Sequence, residues 1–411
     1  MATPAFALTA DTKGFLEIRG QADRNLNDGS DRGEADNDRT GVEQRLRLWT
    51  EVAADENVKA VFAIESDLAW GANSDSLGDI DGNGTDDSKT NSIGTDYRGN
   101  LEIKHVYLDF NLPSLKTNVK AGAQYFKIGG GFIAGDDAIG IQTATKFGDA
   151  ATLKLYWAKA QEGSVDVTSD DNDFYGAQVD VKAGPVTVSP ILAWTRSGKD
   201  TDIYFGGFDL AGKLGENTKL AVTLIKNWGD NLGVQNVDGL AAYAGVFQKM
   251  GSADLSLEGA WIGDDGQAGG QFVDGSGSIG TWGLSSPTEM LGGARYDRRA
   301  VIGQGIGGRL DTGDGDLYNL NQCYVKLGFG LQTSEKTKLT TYLAHIQQAS
   351  GDNDGISTAF GQELGAYYDI TLAKGLTYSL MGAYLLNDDF GTVGGGNDNV
   401  YKLGNALTYK F

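Results

Sequence analysis

The chain ends in a segment that few environments can satisfy. From Asn399 to Phe411 the side chains alternate between two faces. Tyr401, Leu403, Leu407, Tyr409 and Phe411 fall on one face, with Asn405 as its polar member. Lys402, Gly404, Ala406, Thr408 and Lys410 fall on the other. Alternation with period two marks a β-strand lying between unlike media. A strand whose apolar face stays aromatic to its last residue suits lipid on one side and water on the other.

The same alternation recurs along the chain. Amphipathic segments run over 12–23, 41–54, 59–71, 100–112, 116–128, 137–147, 151–162, 171–183 and 185–197. They continue over 202–214, 218–229, 237–250, 253–265, 315–332, 338–351, 361–372, 376–389 and 397–411. This gives about 18 strands, with 16–18 as the range. Each reaches or exceeds the ~9–11 residues that a tilted strand needs to cross a bilayer. Tight connections such as Pro113–Leu115, Gly148–Ala150, Gly251–Ser252 and Ala373–Gly375 alternate with long ones near 24–40, 72–99, 266–314, 352–360 and 390–396. An even strand count puts both termini at one rim and gathers the long connections at the other. The expected fold is all-β: one transmembrane antiparallel up-and-down barrel domain over 1–411.

Composition narrows the alternatives. Glycine is abundant, with 61 residues against 5 prolines, which suits many strands joined by tight turns. No stretch approaches the ~20 consecutive apolar residues of a membrane helix. The net charge of −21 argues against nucleic acid as a partner. Cys323 is the one cysteine, so no intrachain disulfide can form. Ala5-Phe-Ala7 fits the small-x-small pattern of a cleavage site, and residues 1–7 read as a signal-peptide remnant. Enzyme motifs are lacking. The two histidines, His105 and His345, lie in no triad or metal motif, and Gly303–Gly308 does not open a helix after a strand.

Several blocks resemble those of Gram-negative outer-membrane porins, of the general-porin and alginate-export kind. Glu43-Gln-Arg-Leu-Arg-Leu-Trp-Thr-Glu51 with Asp55-Glu-Asn-Val-Lys-Ala60 is similar to an early porin hairpin. Leu101–Asp109 followed by Val119–Tyr125 resembles the next one, and Tyr409-Lys-Phe411 resembles the signal read by the barrel-insertion machinery. The resemblance implies passive diffusion of small hydrophilic solutes or ions through a water-filled lumen, outer-membrane lipid as surroundings, and a homotrimer or a monomer. Porins of this kind constrict the pore with a long third external loop. Here the matching connection, Gly129–Asp137, is short, so the expectation is that it stops short of crossing the lumen and that 266–314 folds inward or stays outside.

Candidate pore residues follow from the alternation. With Leu16, Ile18, Leu46 and Leu48 toward lipid, Glu17, Arg19, Glu43, Arg45, Arg47 and Glu51 face the lumen, with Lys104 and Lys120 farther round. A charge facing lipid at mid-bilayer costs ~2–4 kcal/mol, which drives the inward assignment. Asp136 and Asp137, facing Arg295, Arg298, Arg299 and Arg309, are constriction candidates. Trp70, Trp194, Trp228 and Trp261 near one rim, with Tyr409 and Phe411 near the other, are candidates for interfacial aromatic girdles. Asp79, Asp81, Asn83, Thr85 and Asp87 follow the spacing of a calcium loop but lack its final Glu, so a weak external Ca²⁺ site stands beside a solvated acidic turn. No cofactor is required. The function expected is a passive porin. The alternatives are a specific channel for anionic sugars or organic acids, a sleeve for a partner such as a multihaem cytochrome, and a soluble β-rich adhesin.

Overall fold

Half-apolar strands cannot leave backbone groups unpaired in lipid, so they pair edge to edge until no edge remains. In the computed structural model they form one antiparallel sheet of nineteen strands. The structure describes residues 8–24, 39–53, 55–70, 101–161, 172–197, 201–231, 235–237, 239–263, 322–348, 359–387 and 400–411. The first strands are β1 (Thr9–Arg24), β2 (Arg39–Ala53), β3 (Val58–Ala69), β4 (Leu101–Leu112), β5 (Thr117–Ile128) and β6 (Ala134–Phe147). Next come β7 (Ala151–Gln161), β8 (Asn172–Ala183), β9 (Val186–Ser197), β10 (Thr201–Lys213) and β11 (Thr218–Asn231). The last are β12 (Gln235–Val237), β13 (Leu240–Met250), β14 (Ala253–Gly263), β15 (Gln322–Ser334), β16 (Thr337–Gln348), β17 (Ala359–Ala373), β18 (Leu376–Asn387) and β19 (Val400–Lys410). β12 is a three-residue segment paired with the end of β11. The other eighteen are the full staves of the barrel.

β1 pairs with both β2 and β19, which closes the sheet. The closing seam runs to the last residue: Gly14 N–H donates to the Phe411 carbonyl at 3.0 Å, and Phe411 N–H donates back to Gly14 at 3.1 Å. Tight turns at 113–116, 148–150, 184–185, 251–252 and 374–375 lie at the same rim as Leu8 and Phe411.

Outside, the barrel is apolar. Phe62, Val106, Leu108, Leu192, Leu257, Leu327, Leu343, Leu364 and Leu403 are exposed, far more apolar surface than a protein in water tolerates. Toward the rim opposite the termini a row of stacked rings crosses four strands. Tyr175 and Trp194 lie 5.2 Å apart, Trp194 and Tyr204 6.3 Å, and Tyr204 and Trp228 6.2 Å. Polar ends complete it: Trp194 Nε1 donates to Asp202 at 2.9 Å, and Trp157 Nε1 to Asp173 at 3.3 Å. Tyr409 and Phe411 stack at 5.5 Å on the other rim. Rings with one apolar and one polar end favour the headgroup level of a bilayer.

Inside, the main event is the β5–β6 hairpin. Gly122 and Gly140 face each other across it. The pairing of β5 with β4 ends at Val106–Ala123, and that of β6 with β7 ends at Ile139–Lys159. Beyond that level the hairpin leaves the wall. Gly122 has φ of 133°, and a Cβ there would run into the Val106 carbonyl; one on Gly140 would run into the Trp157 carbonyl. Both positions need glycine for the chain to bend there.

Residues 123–139 then form a strap across the lumen. Its tip, the tight turn Gly129–Gly131, reaches β10 and β11: Gly130 N–H donates to Asp209 Oδ2 at 3.2 Å, and Thr223 Oγ1 donates to Asp209 Oδ1 at 2.7 Å. Phe126, Ile128, Phe132, Ile133, Ala134 and Ala138 are buried in one cluster with Tyr156, Ala158, Phe174, Ile191, Ala193, Ile203, Phe205 and Ile225 of the wall. This overturns the expectation that the 129–137 connection stops short. The reach comes from the strands, not from the turn: about six extended residues per arm span roughly 20 Å.

Candidate pore

The strap packs on the β7–β11 wall, and the charged inner positions lie on β1, β2, β3 and β4, with Thr408 of β19 beside them. Alternation aims the charges of these strands inward. Arg19 is opposite Ala406, Arg45 opposite Asp67, and Arg47 opposite Glu65. Glu65 is the organising residue. It is 2% exposed, and Arg47 contacts its Oε2 through both Nε and Nη2. Arg45 Nε lies 3.6 Å from the same oxygen, and Lys104 Nζ lies 4.0 Å from Oε1. A buried carboxylate is tolerable only when paired this fully.

Lys104 gets there by a β-bulge. Ala63 pairs with His105 but Ile64 pairs with Ile103, so Lys104 is the extra residue. Ile103 and Val106 stay exposed on the outer face. The bulge therefore turns two successive side chains, Lys104 and His105, to the lumen. Both meet the strap. Lys104 Nζ is 3.0 Å from Asp137 Oδ2, and His105 Nε2 is 2.8 Å from Asp137 Oδ1. The strap is thus held at its tip by Asp209 and along its flank by Asp137.

Toward the terminal rim the charges form a second network. Glu51 lies between Lys13 at 3.6 Å and Lys59 at 2.9 Å, and Lys59 is 3.6 Å from Asp109. Arg47 sits against the rings of Phe15 and Trp49, 5.9 and 5.6 Å from their centroids. Glu17 accepts from Thr408 at 2.9 Å and lies 3.8 Å from Arg19, and Lys120 lies 5.6 Å from the Tyr107 ring centre.

The structure brings Glu17, Arg19, Arg45, Arg47, Glu51, Lys104 and Lys120 to the inner face. Glu43 and Asp136 take register positions opposite Ala69 and Phe126. Trp70, Trp194, Trp228 and Trp261 lie on outward positions, Trp70 donating from Nε1 to Gln44 at 3.0 Å. Arg295, Arg298, Arg299 and Arg309, the segment 266–314, the loop Asp79, Asp81, Asn83, Thr85 and Asp87, and residues 1–7 lie outside the described residues. Sequence reasoning missed Glu65, Asp209 and Trp157. Trp157 sits on β7 as the other girdle indoles sit on their strands, so the same rule would have found it.

No protein-family model matches the chain, and no curated protein matches it in sequence. Solved structures do match. Pseudomonas aeruginosa OccK9 (OpdG) superposes with a TM-score of 0.59 at 12% identity, over 98% of each chain. The fold is that of the outer-membrane porins. P. aeruginosa OccK5 (OpdH) gives 0.56 at 10% identity, and a BenF-like porin from Pseudomonas fluorescens Pf-5 gives 0.54 at 12%, each over 98% of both chains. At such identities the porin likeness is one of architecture, the closed antiparallel barrel of eighteen staves.

Proposed function

We propose that this protein is an outer-membrane porin of a Gram-negative bacterium, passing small hydrophilic solutes by diffusion through a water-filled lumen. One observation carries the reading: an apolar outer belt encloses an inner wall where Arg45, Arg47 and Lys104 remain 18–23% exposed beside the strap. Charges kept wet inside a lipid-facing barrel have their natural use in solute passage. Basic side chains in a narrow channel focus positive potential there, so anions are favoured although the chain carries −21 overall.

A channel for anionic sugars or organic acids is the narrower reading, and the strap supports it by leaving a restricted passage against the basic wall. The strap also crosses the space that a threaded partner protein would need, which disfavours a sleeve. Liposome swelling tests the proposal. Reconstituted protein is expected to admit small sugars, and to admit a sugar acid faster than its neutral sugar. Swelling no faster than in protein-free vesicles would rule out a porin.

A further inference from the structure

We infer that Glu65 is a specificity-determining positioning residue: from beneath Arg45, Arg47 and Lys104 it fixes these cations on the wall and limits how strongly the passage favours anions. The inference rests on reading the barrel as a pore. The geometry gives Glu65 a layered place. Its carboxylate is 2% exposed, while the three cations above it are 21%, 23% and 18% exposed. A solute in the passage meets the cations first and the offsetting carboxylate behind them.

The two oxygens divide the work. Oε2 holds both arginines on β2, and Oε1 faces Lys104 on β4. Lys104 continues to Asp137 on the strap. Glu65 thus ties three strands and the strap at one level, where the strap meets the charged wall. It touches no solute itself. It acts through the position and the net field of the side chains that do.

Removing its charge adds one positive unit to a narrow, partly desolvated passage. At about 10 Å and an effective dielectric of about 40, that favours a monovalent anion by roughly threefold to fourfold. The experiment is a reversal-potential measurement on single channels in a planar bilayer under a potassium chloride gradient. Glu65→Gln is expected to raise the chloride-to-potassium permeability ratio by about tenfold, because potassium is disfavoured by the factor that chloride gains. Glu65→Asp, which keeps the charge, is expected to stay near the wild-type ratio. An open Glu65→Gln channel with the wild-type ratio would overturn the inference.

Where Glu65→Gln alone does not assemble, the double variant Glu65→Gln/Arg47→Gln removes the pair together and leaves no new lone charge at their contact. Its ratio is then expected to exceed that of Arg47→Gln alone by the same factor, because Glu65 also offsets Arg45 and Lys104. Equality of the two would show that Glu65 merely supports Arg47, and would overturn the inference. A wild-type protein without conductance steps would overturn the pore reading and this inference with it.

Discussion

The main-chain N–H of Gly130 donates to the carboxylate of Asp209, joining the tip of a hairpin that starts between β4 and β7 to a wall several strands away. That bond is the polar end of an apolar attachment. Phe126, Ile128, Phe132 and Ile133 are each at most 1% exposed, and burying four such side chains stabilises by about 6–12 kcal/mol as an upper estimate. A hydrogen bond to a charged group contributes about 1.5–3 kcal/mol. The apolar contacts therefore hold the strap, and the Asp209 bond sets where its tip sits.

Asp209→Asn is accordingly expected to leave single-channel conductance near wild type. Phe132→Asp, which forces a charge into the buried cluster, is expected to free the strap and raise both conductance and current noise. Wild-type conductance in Phe132→Asp would mean that the strap does not restrict the passage.

The bend depends on Gly122 and Gly140. Gly122→Ala must hold a φ of 133° that costs about 1–3 kcal/mol for a residue with a Cβ, before any clash with the Val106 carbonyl. Gly140→Ala meets the Trp157 carbonyl. Both variants are expected to give a reduced folded band in unheated gel electrophoresis after refolding into detergent. Alanine at Gly148, where nothing lies within 4 Å, is the comparison, and meets the strain of positive φ alone.

The aromatic row gives a stability prediction. Trp194 stacks on both Tyr175 and Tyr204. At about 0.5–1.5 kcal/mol per ring pair, Trp194→Ala is expected to lose roughly 1–3 kcal/mol in urea unfolding from lipid vesicles, beyond the loss of lipid-facing area. In single-tryptophan variants, brominated lipid is expected to quench Trp228, which faces outward, and to spare Trp49, which lies among lumen side chains beside Arg47.

The staves were legible because period-two alternation survives wherever one face meets lipid. Arg45 and Arg47 were legible for the same reason. The strap was not read, yet its signal is in the chain. Above Gly122 and Gly140 the polarity of the hairpin inverts: Phe126 and Ile128 take the lumen parity, while Lys127 and Asp137 take the lipid parity. Charges on a lipid-facing segment are costly, so the inversion marks strands that have left the wall. A second break, at Lys104-His105, where the lipid parity passes from Ile103 to Val106, marks the bulge. Glu65 carried no such mark. A lumen-facing glutamate looks the same in sequence whether it meets water or two arginines, and only the register of β2 against β3 decides which.

The central claim is that the strap closes the β7–β11 side of the lumen and leaves the passage along the basic wall. Thiol labelling during single-channel recording tests it, in a Cys323→Ser background with cysteine at Arg47 or at Phe174. A cationic methanethiosulfonate reagent is expected to change the current stepwise with Arg47→Cys and to leave Phe174→Cys unaffected. Stepwise changes with Phe174→Cys and none with Arg47→Cys would contradict the account.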